Sequence, residues 1–593
     1  MTPEIGIVLA IIAAAVALFI SERLSIDVVA ILIMIAFMVT GILTPAEGLS
    51  GFSNSATITV ATMFIISSAI FKSGALNNVG VVLTRIGRKN YLLCLLAVMV
   101  ISGTISAFIN DTAVVALLMP IVIQVSRDIK ISPAKLLMPL SFGALMGGIC
   151  TLIGTSTNIL VSGIAEAHGL APIGMFEMTP AGVLFLLTGV AYIFLAGRHL
   201  LPSRATAQDL TEEFGMGDYL TEIVLLPGSP SVGMPLRNSG LVQNLDIDVL
   251  QVTRDKQYKL KATPYTILRA NDVLKVRCDV HKLKKIKDEK GIELKSERKF
   301  KERDMRAGNT KLYEAIVPPS SYMVGKSLKE LDFRAYNHGA TVLAIRHRDE
   351  ILHEKLTHVK LASGDVLLIA ADKEQAQKLR YNEDILIISE TERSPYDYSK
   401  IIPVLLISAG VVTAAATGQV PIVLSALVGV VLLVVFKCVR AEDLYKTIDW
   451  KVIFMLAGVL SMGVALEKTG AAKLLSGLLI NSVGVYGPHV LMSVFFFITF
   501  MLTNFMSNNA TAALLAPIAI VAAEQLGISE RPFLMAVTFA ASLSFMTPMG
   551  YQTNTMIYGP GNYRFSDYLK VGTPLNLLFW LLASLIIPFF FPF

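Results

Sequence analysis

The sequence predicts an α-helical polytopic membrane protein. It is read as two inverted repeats with re-entrant hairpins and broken helices, plus an inserted soluble α+β region of two tandem lobes. Three observations carry this reading. Of the 593 residues, 54% are hydrophobic and 16% charged, a balance foreign to a water-soluble chain of this length. Apolar runs recur near 5–20, 26–43, 57–71, 178–199, 401–416, 420–437, 450–466 and 571–591, each close to the ~20 residues that cross a bilayer. Between the fourth and fifth runs the chain turns polar, basic and strand-like.

The first membrane half covers 1–200 and the second 399–593. The opening MTPEIG lacks a basic segment and a small-residue cleavage site, so the first run reads as a retained span. Each half then reads as three spans, a short surface segment, a hairpin, a broken span and a final span. The hairpins fall near 91–127 and 488–523, and the broken spans near 134–165 and 533–558.

The halves repeat one another. KSGA at 72–75 matches KTGA at 468–471, NDTAVVALLMP at 110–120 matches SNNATAALLAP at 507–517, and GTSTN at 154–158 matches GYQTN at 550–554. The offset stays at 396 or 397. Ordered internal repeats of this kind mark transporters. A hairpin adds an even number of crossings, so each half crosses an odd number of times and the second repeat starts from the opposite face.

Arg85, Arg88, Lys89, Arg127, Lys130, Lys135, Arg198, Arg204, Lys437, Arg440, Lys446 and Lys451 fall on one side in this scheme, together with the basic insert. The positive-inside rule makes that side the cytosol and both termini external, with Lys468 and Lys473 on the minority side.

The insert is itself duplicated. YLTEIVLLPGSPSVGMPLRN at 219–238 aligns with KLYEAIVPPSSYMVGKSLKE at 311–330, and Glu222/Glu314, Gly233/Gly325 and Leu236/Leu328 keep an offset of 92. The first lobe is assigned to 205–290. A linker and the second lobe occupy 291–398, and the charge run at 281–306 reads as a solvated helix or linker. No GxGxxG-type phosphate loop lies in 205–398, which argues against a dinucleotide fold. Cys94, Cys150, Cys278 and Cys438 are scattered, as are the eight histidines, so neither a zinc cluster nor a disulfide scaffold is indicated.

Four interruptions carry the chemistry: the hairpin tips INDT and SNN, and the breaks GTSTN and GYQTN. Lipid cannot hydrogen-bond to an unwound backbone, so such breaks must be buried in protein or line a wet cavity. In inverted-repeat transporters they gather near the midplane, where helix N-termini face anions and freed carbonyls face Na⁺. The alternative is that Ser, Thr and Asn only hold helices together. Asp111 stands out, because an acid at a helix centre in the membrane costs about 2.5–3.5 kcal/mol on insertion scales. It reads as a cation ligand or protonatable coupling residue, or else as a helix cap.

On these motifs the chain resembles the divalent anion–sodium symporters, the sodium/sulfate and sodium/dicarboxylate transporters. It looks most like sulfate-permease-like members with two lobes of the RCK C-terminal type between the halves. The tips Asn110-Asp111-Thr112 and Ser507-Asn508-Asn509 depart from the family's Ser-Asn-Thr. The resemblance implies Na⁺ ligands at Ser106, Asn110, Asp111, Gly154 and Asn158, and at Thr503, Ser507, Asn508 and Thr547. It implies substrate contacts at Asn110, Thr112, Thr155, Ser507, Asn509, Gly550, Tyr551, Gln552, Thr553 and Asn554.

The function it implies is Na⁺-coupled symport of a small divalent anion, sulfate first and a dicarboxylate as the alternative, by an elevator movement. No enzymatic activity is expected. The expected partners are the lipid bilayer of an inner or plasma membrane, a second copy in a homodimer, and a small regulatory ligand such as a nucleotide at cytoplasmic lobes. Nucleic acid is not expected. A cation/proton antiporter would favour paired deep acids, and a lobe-gated channel a TVGYG-like filter; neither is found in the sequence.

Overall fold

The computed structural model describes residues 2–21, 24–75, 79–203, 220–243, 248–254, 258–277, 292–294, 310–318, 321–337, 339–347, 350–352, 356–380, 382, 384–387 and 400–593. The chain divides into two compact units. One combines Met1–Arg204 with Thr391–Phe593; the other is Ala205–Glu390.

The first unit is helical. Its first half holds α1 (Pro3–Ser21), α2 (Ile26–Val39), α3 (Ser55–Ser73), α4 (Val79–Lys89), α5 (Tyr91–Ser106), α6 (Asp111–Asp128), α7 (Ala134–Gly148), α8 (Ser156–Ala167) and α9 (Thr179–Leu200). Among the described residues, five helices are long and apolar enough to cross a membrane, and shorter apolar helices accompany them.

Local chemistry sets the ends of these helices. Asn54 caps α3 by accepting from Ala56 N, and Gly74 closes it in the left-handed conformation at φ 80°. α4 carries Arg85, Arg88 and Lys89 with little buried surface, as a helix lying along an interface does. α7 is buried along nearly its whole length. A Cβ at Gly147 would overlap the backbone of Gly103, so α5 and α7 touch backbone to backbone.

In the middle unit the first sheet comprises β1 (Leu220–Leu225), β2 (Asp248–Arg254), β3 (Tyr258–Lys261), β4 (Val273–Arg277) and β5 (Ile292–Leu294), in the order β3-β2-β4-β1-β5. The second comprises β6 (Thr310–Ile316), β7 (Thr341–His347), β8 (Glu350–Leu352), β9 (Val366–Asp372), the helix α10 (Lys373–Arg380) and β10 (Leu386–Ile387), in the order β10-β6-β9-β7-β8. Pairing each strand with its repeat partner turns one order into the other. The bulge between Val249 and Gln251 recurs between Val342 and Ala344. Each sheet has its own apolar core, one around Ile223, Val252 and Leu274 and the other around Tyr313, Leu367 and Ile369. Most of the charge run at 281–306 lies outside the described residues, as does Arg204; Ile292–Leu294, within that run, pairs with β1 as a strand.

The second half repeats the first: α11 (Ile401–Ala416), α12 (Ile422–Val435), α13 (Ala441–Thr447), α14 (Trp450–Thr469), α15 (Ala471–Val483), α16 (Pro488–Thr503), α17 (Asn508–Leu526), α18 (Arg531–Ser542), α19 (Gln552–Tyr558) and α20 (Phe565–Phe590). Asp449 caps α14 and Gly470 ends it at φ 76°, as Asn54 and Gly74 do for α3. Pro120 inside α6 and Pro517 inside α17 occupy equivalent places.

The peripheral helices expose Ile402, Leu405, Leu406, Val428 and Val431, an apolar surface suited to lipid. By contrast α18 is buried from Pro532 to Ser542. Phe545, at the start of the second break, packs with tilted rings against Phe142 and Phe579, centroids 4.6 and 5.7 Å away, which holds the break against α7 and α20. Lys468, on the minority side of the charge count, binds Glu47 at 2.7 Å.

Candidate functional site

Both broken spans are held open in the same way. After α7 the backbone unwinds, and the Asn158 amide donates to Gly148 O at 3.0 Å and Thr151 O at 2.8 Å. After α18 the Asn554 amide donates to Ser544 O at 2.8 Å and Thr547 O at 3.4 Å. The Thr151 hydroxyl donates to Ala107 O, and the Thr547 hydroxyl to Asn504 O at 2.6 Å. Each break is thus sewn to the hairpin tip of its own repeat. Carbonyls freed from a helix have no water to turn to at this depth, and these side chains replace it.

The tips are capped helix starts. Asn110 Oδ1 accepts from Thr112 N at 3.1 Å, and Ser507 Oγ from Ala510 N at 3.3 Å. Asp111 Oδ1 also accepts from Thr112 N, at 2.8 Å.

The two repeats then meet through these segments. Thr112 Oγ1 donates to Gln552 Oε1 at 3.2 Å, joining the first tip to the second break. Asn509 Nδ2 donates to Ser156 Oγ at 3.1 Å, and its Oδ1 accepts from Thr157 Oγ1 at 2.9 Å, joining the second tip to the first break. Asn508 Nδ2 donates to Thr157 Oγ1 at 2.5 Å. Thr155 and Tyr551 occupy the same position in the two repeats, each the N-cap of its half-helix, and their hydroxyls bond at 2.8 Å. The Tyr551 hydroxyl also donates to Asp111 Oδ2. The opening turns of α6, α8, α17 and α19 therefore converge, and with them the positive ends of their helix dipoles.

The two cradles beside this centre differ. In the first, a Cβ on Gly154 would overlap the carbonyl oxygens of Gly148 and Ser106, so glycine is required where these oxygens crowd together. Asp111 Oδ2 and Gly154 O both lie 3.4 Å from the corresponding point on Gly148. Ser106 Oγ and Asn158 Oδ1 are buried without a hydrogen-bond partner. A buried oxygen without a donor is costly unless something else satisfies it. This set of carboxylate, carbonyl, hydroxyl and amide oxygens fits a hard cation such as Na⁺.

In the second cradle, Ser544 replaces Gly148 and Asn504 replaces Ala107. Ser544 Oγ donates to Asn504 Oδ1 at 3.0 Å, Thr503 Oγ1 to Ala541 O at 2.7 Å, and Gly550 N to Thr547 Oγ1 at 3.0 Å. The oxygens there are largely satisfied within the protein.

The structure brings Asn110, Asp111, Thr112, Thr155, Asn508, Asn509, Tyr551 and Gln552 into one network. Ser106, Gly154 and Asn158 line its first flank; Thr503, Ser507, Thr547 and Gly550 line the second. Thr553 and Asn554 turn to Ser141 Oγ on α7, at 2.9 and 2.8 Å, away from the centre. Sequence reasoning missed Ser141, Ser156, Thr157, Asn504 and Ser544. The equivalences Gly148/Ser544 and Ala107/Asn504 were available from the repeat offset.

No Lys or Arg occurs in 106–112, 148–158, 503–509 or 544–554, and Asp111 is the one formally charged residue in these stretches.

The chain matches the citrate transporter family (CitMHS) over residues 16–530. It is 37% identical over 592 residues to the Uncharacterized transporter sll0640 of Synechocystis sp., covering 98% of this chain and 97% of that protein. The Uncharacterized transporter YfbS of Escherichia coli is 31% identical, with both chains fully covered. Sodium/sulfate cotransporter 1 of Chlamydomonas reinhardtii is 22% identical over 92% of this chain and 85% of its own. With its apolar helices, two hairpins and two broken spans, the chain belongs to the citrate transporter family of membrane transport proteins and is not an enzyme.

Proposed function

We propose that the protein is a Na⁺-coupled symporter of a small divalent anion, sulfate in the first instance. The observation that carries this is the charge of the centre: helix N-termini, hydroxyls and amides converge where no basic side chain occurs and where Asp111 adds a negative charge. An anion placed there is opposed by Asp111 unless a cation is bound beside it. In the first flank Na⁺ is held by Asp111, the free oxygens of Ser106 and Asn158, and the carbonyls at Ser106, Gly148 and Gly154, with Asn110 positioning Thr112. In the second flank the ligands are Thr503, Ser507, Asn508 and Thr547. The anion lies between them, among Thr112, Thr155, Asn509, Gly550, Tyr551 and Gln552.

Hydroxyl, amide and helix N-terminal donors without a basic side chain suit a tetrahedral oxyanion, and the sodium/sulfate cotransporters among the relatives support that choice. The family's description as citrate transporters favours a carboxylate as the second reading. Transport proceeds by an elevator movement of the hairpins and broken spans in a homodimer, with the insert in the cytosol and both termini outside, a sidedness that the positive-inside pattern supports. The duplicated lobes, read as RCK C-terminal-type, regulate transport through a small ligand such as a nucleotide.

Purified protein in liposomes tests this. Labelled sulfate should accumulate under an inward Na⁺ gradient and not under a K⁺ gradient. Succinate or citrate uptake with no sulfate uptake would replace the sulfate reading, and gradient-independent uptake would remove the coupling.

A further inference from the structure

We infer that Tyr551 is the residue that makes anion binding wait for the cation. Its hydroxyl is donated to Asp111; when Na⁺ takes the carboxylate oxygen, the hydroxyl is released to the anion. This rests on the Na⁺–anion reading above and assigns a positioning role to one side chain within it.

The geometry supplies three supports. First, Tyr551 begins the half-helix of the second repeat, yet its hydroxyl ends at Asp111 on the tip of the first. Its counterpart Thr155 is too short to make the reverse crossing and stops at the Tyr551 hydroxyl, 2.8 Å away.

Second, a phenol has one proton to donate. With that proton on Asp111 Oδ2, the Thr155 hydroxyl is the donor in its bond to Tyr551, and Tyr551 has nothing left for an anion. Third, the oxygen that Tyr551 occupies is the one facing the cradle: Asp111 Oδ2 and Gly154 O are equidistant, at 3.4 Å, from the point above Gly148, while Oδ1 is engaged by Thr112 N at 2.8 Å. Cation and phenol are therefore drawn to the same oxygen, and the charge of Na⁺ on it weakens its hold on the phenol proton. Na⁺ both cancels the negative charge that opposes the anion and frees a donor at a centre with no basic residue. By linkage, a bound anion that holds the Tyr551 hydroxyl tightens Na⁺ by the same factor.

Tyr551→Phe keeps the ring and removes the hydroxyl, and the test reads two affinities. Without anion, ²²Na⁺ binding to purified Tyr551→Phe should be roughly 10- to 100-fold tighter than wild type, the worth of one hydrogen bond to a charged group. At saturating Na⁺, labelled-anion binding should be weaker by a similar factor. A merely structural role would weaken both, so a parallel loss, or no change in Na⁺ binding, overturns the inference. Thr155→Val leaves the donation to Asp111 in place and should not tighten Na⁺; tightening equal to that of Tyr551→Phe also overturns it.

A wild-type measurement guards against a variant that does not fold. The infrared difference spectrum on adding Na⁺ without anion should shift a tyrosine C–O band together with a carboxylate band that Asp111→Asn lacks. Absence of the tyrosine shift rejects the inference. If wild type shows no Na⁺-dependent anion binding at all, the underlying function is wrong and the coupling role goes with it; wild-type coupling with unaltered Tyr551→Phe rejects the role of Tyr551 alone.

Discussion

Asn158 and Asn554 form an internal control for the cation site. Replace each by alanine. Both substitutions remove an amide that donates to two freed carbonyls, at 3.0 and 2.8 Å for Asn158 and at 2.8 and 3.4 Å for Asn554. The structural loss is therefore alike, about 1–3 kcal/mol for each buried carbonyl left unpaired. The other end of the side chain differs. Asn554 Oδ1 accepts from Ser141 Oγ at 2.8 Å, whereas Asn158 Oδ1 is buried without a hydrogen-bond partner.

If Asn158 Oδ1 is a Na⁺ ligand, Asn158→Ala loses in addition a polar contact to a charge. That contact is worth about 1.5–3 kcal/mol, or roughly 10- to 100-fold in affinity. Na⁺-activation curves in proteoliposomes give the half-saturating concentration, and detergent melting curves give the stability. The melting temperatures of both variants should fall by comparable amounts, while half-saturation for Na⁺ should rise much further in Asn158→Ala. Equal Na⁺ shifts in the two variants, or none in Asn158→Ala, would refute the assignment of the first cradle.

Asp111→Asn should keep the fold, because the amide oxygen still accepts from Thr112 N, and should weaken Na⁺ at least about tenfold in the same assay. Arg531 reaches both Glu177 oxygens, at 2.6 and 2.5 Å, and the carbonyls of Ala171 and Pro172, so Arg531→Ala should cost roughly 1–3 kcal/mol by detergent melting. Arg531→Lys should recover only part of that, since an ammonium cannot make the fork. Replacing 205–390 by a flexible linker should leave anion uptake in place, because the membrane unit forms its own compact body; loss of uptake by protein that still melts cooperatively would put part of the site in the insert.

Much of this architecture could be read from the sequence because each repeat constrains the other. An apolar run alone cannot separate a span from half a hairpin. KSGA with KTGA, and GTSTN with GYQTN, fix the order of elements twice, and the helix ends fall close to the expected hairpins and breaks. The site was legible as four segments because polar residues at membrane depth must be paired or wet. Its internal wiring was not. Nothing in the pattern GYQTN says that Tyr551 crosses to Asp111 while Thr553 and Asn554 turn back to Ser141, because alternate directions around a half-helix start depend on rotamer and side-chain length. Nor does the pattern distinguish an asparagine that holds a break open from one that offers oxygen to a cation; the Asn158 amide does the first, and its oxygen is left without a hydrogen-bond partner.

The difference between the two cradles follows from a few equivalent positions of the two repeats that carry different residues. The backbone scaffold is retained: asparagine on two carbonyls, threonine on the tip, glycine where backbones crowd. Three changes alter its chemistry. Ala107, Gly148 and Asp111 in the first repeat stand opposite Asn504, Ser544 and Asn508 in the second. The small pair leaves two side-chain oxygens unpartnered near a carboxylate, while the polar pair bonds within its own cradle, Ser544 to Asn504 at 3.0 Å. A cation entering the first cradle gains a formal charge and free oxygens. One entering the second must compete with hydrogen bonds already made, at a cost of about 0.5–1.5 kcal/mol for each. If both cradles take a cation, as proposed, the two sites are of unequal strength, and the stronger lies beside the acid that Tyr551 covers. On the proposed Na⁺-coupled reading, cation occupancy of that side changes the centre from one that repels an anion to one that can donate to it.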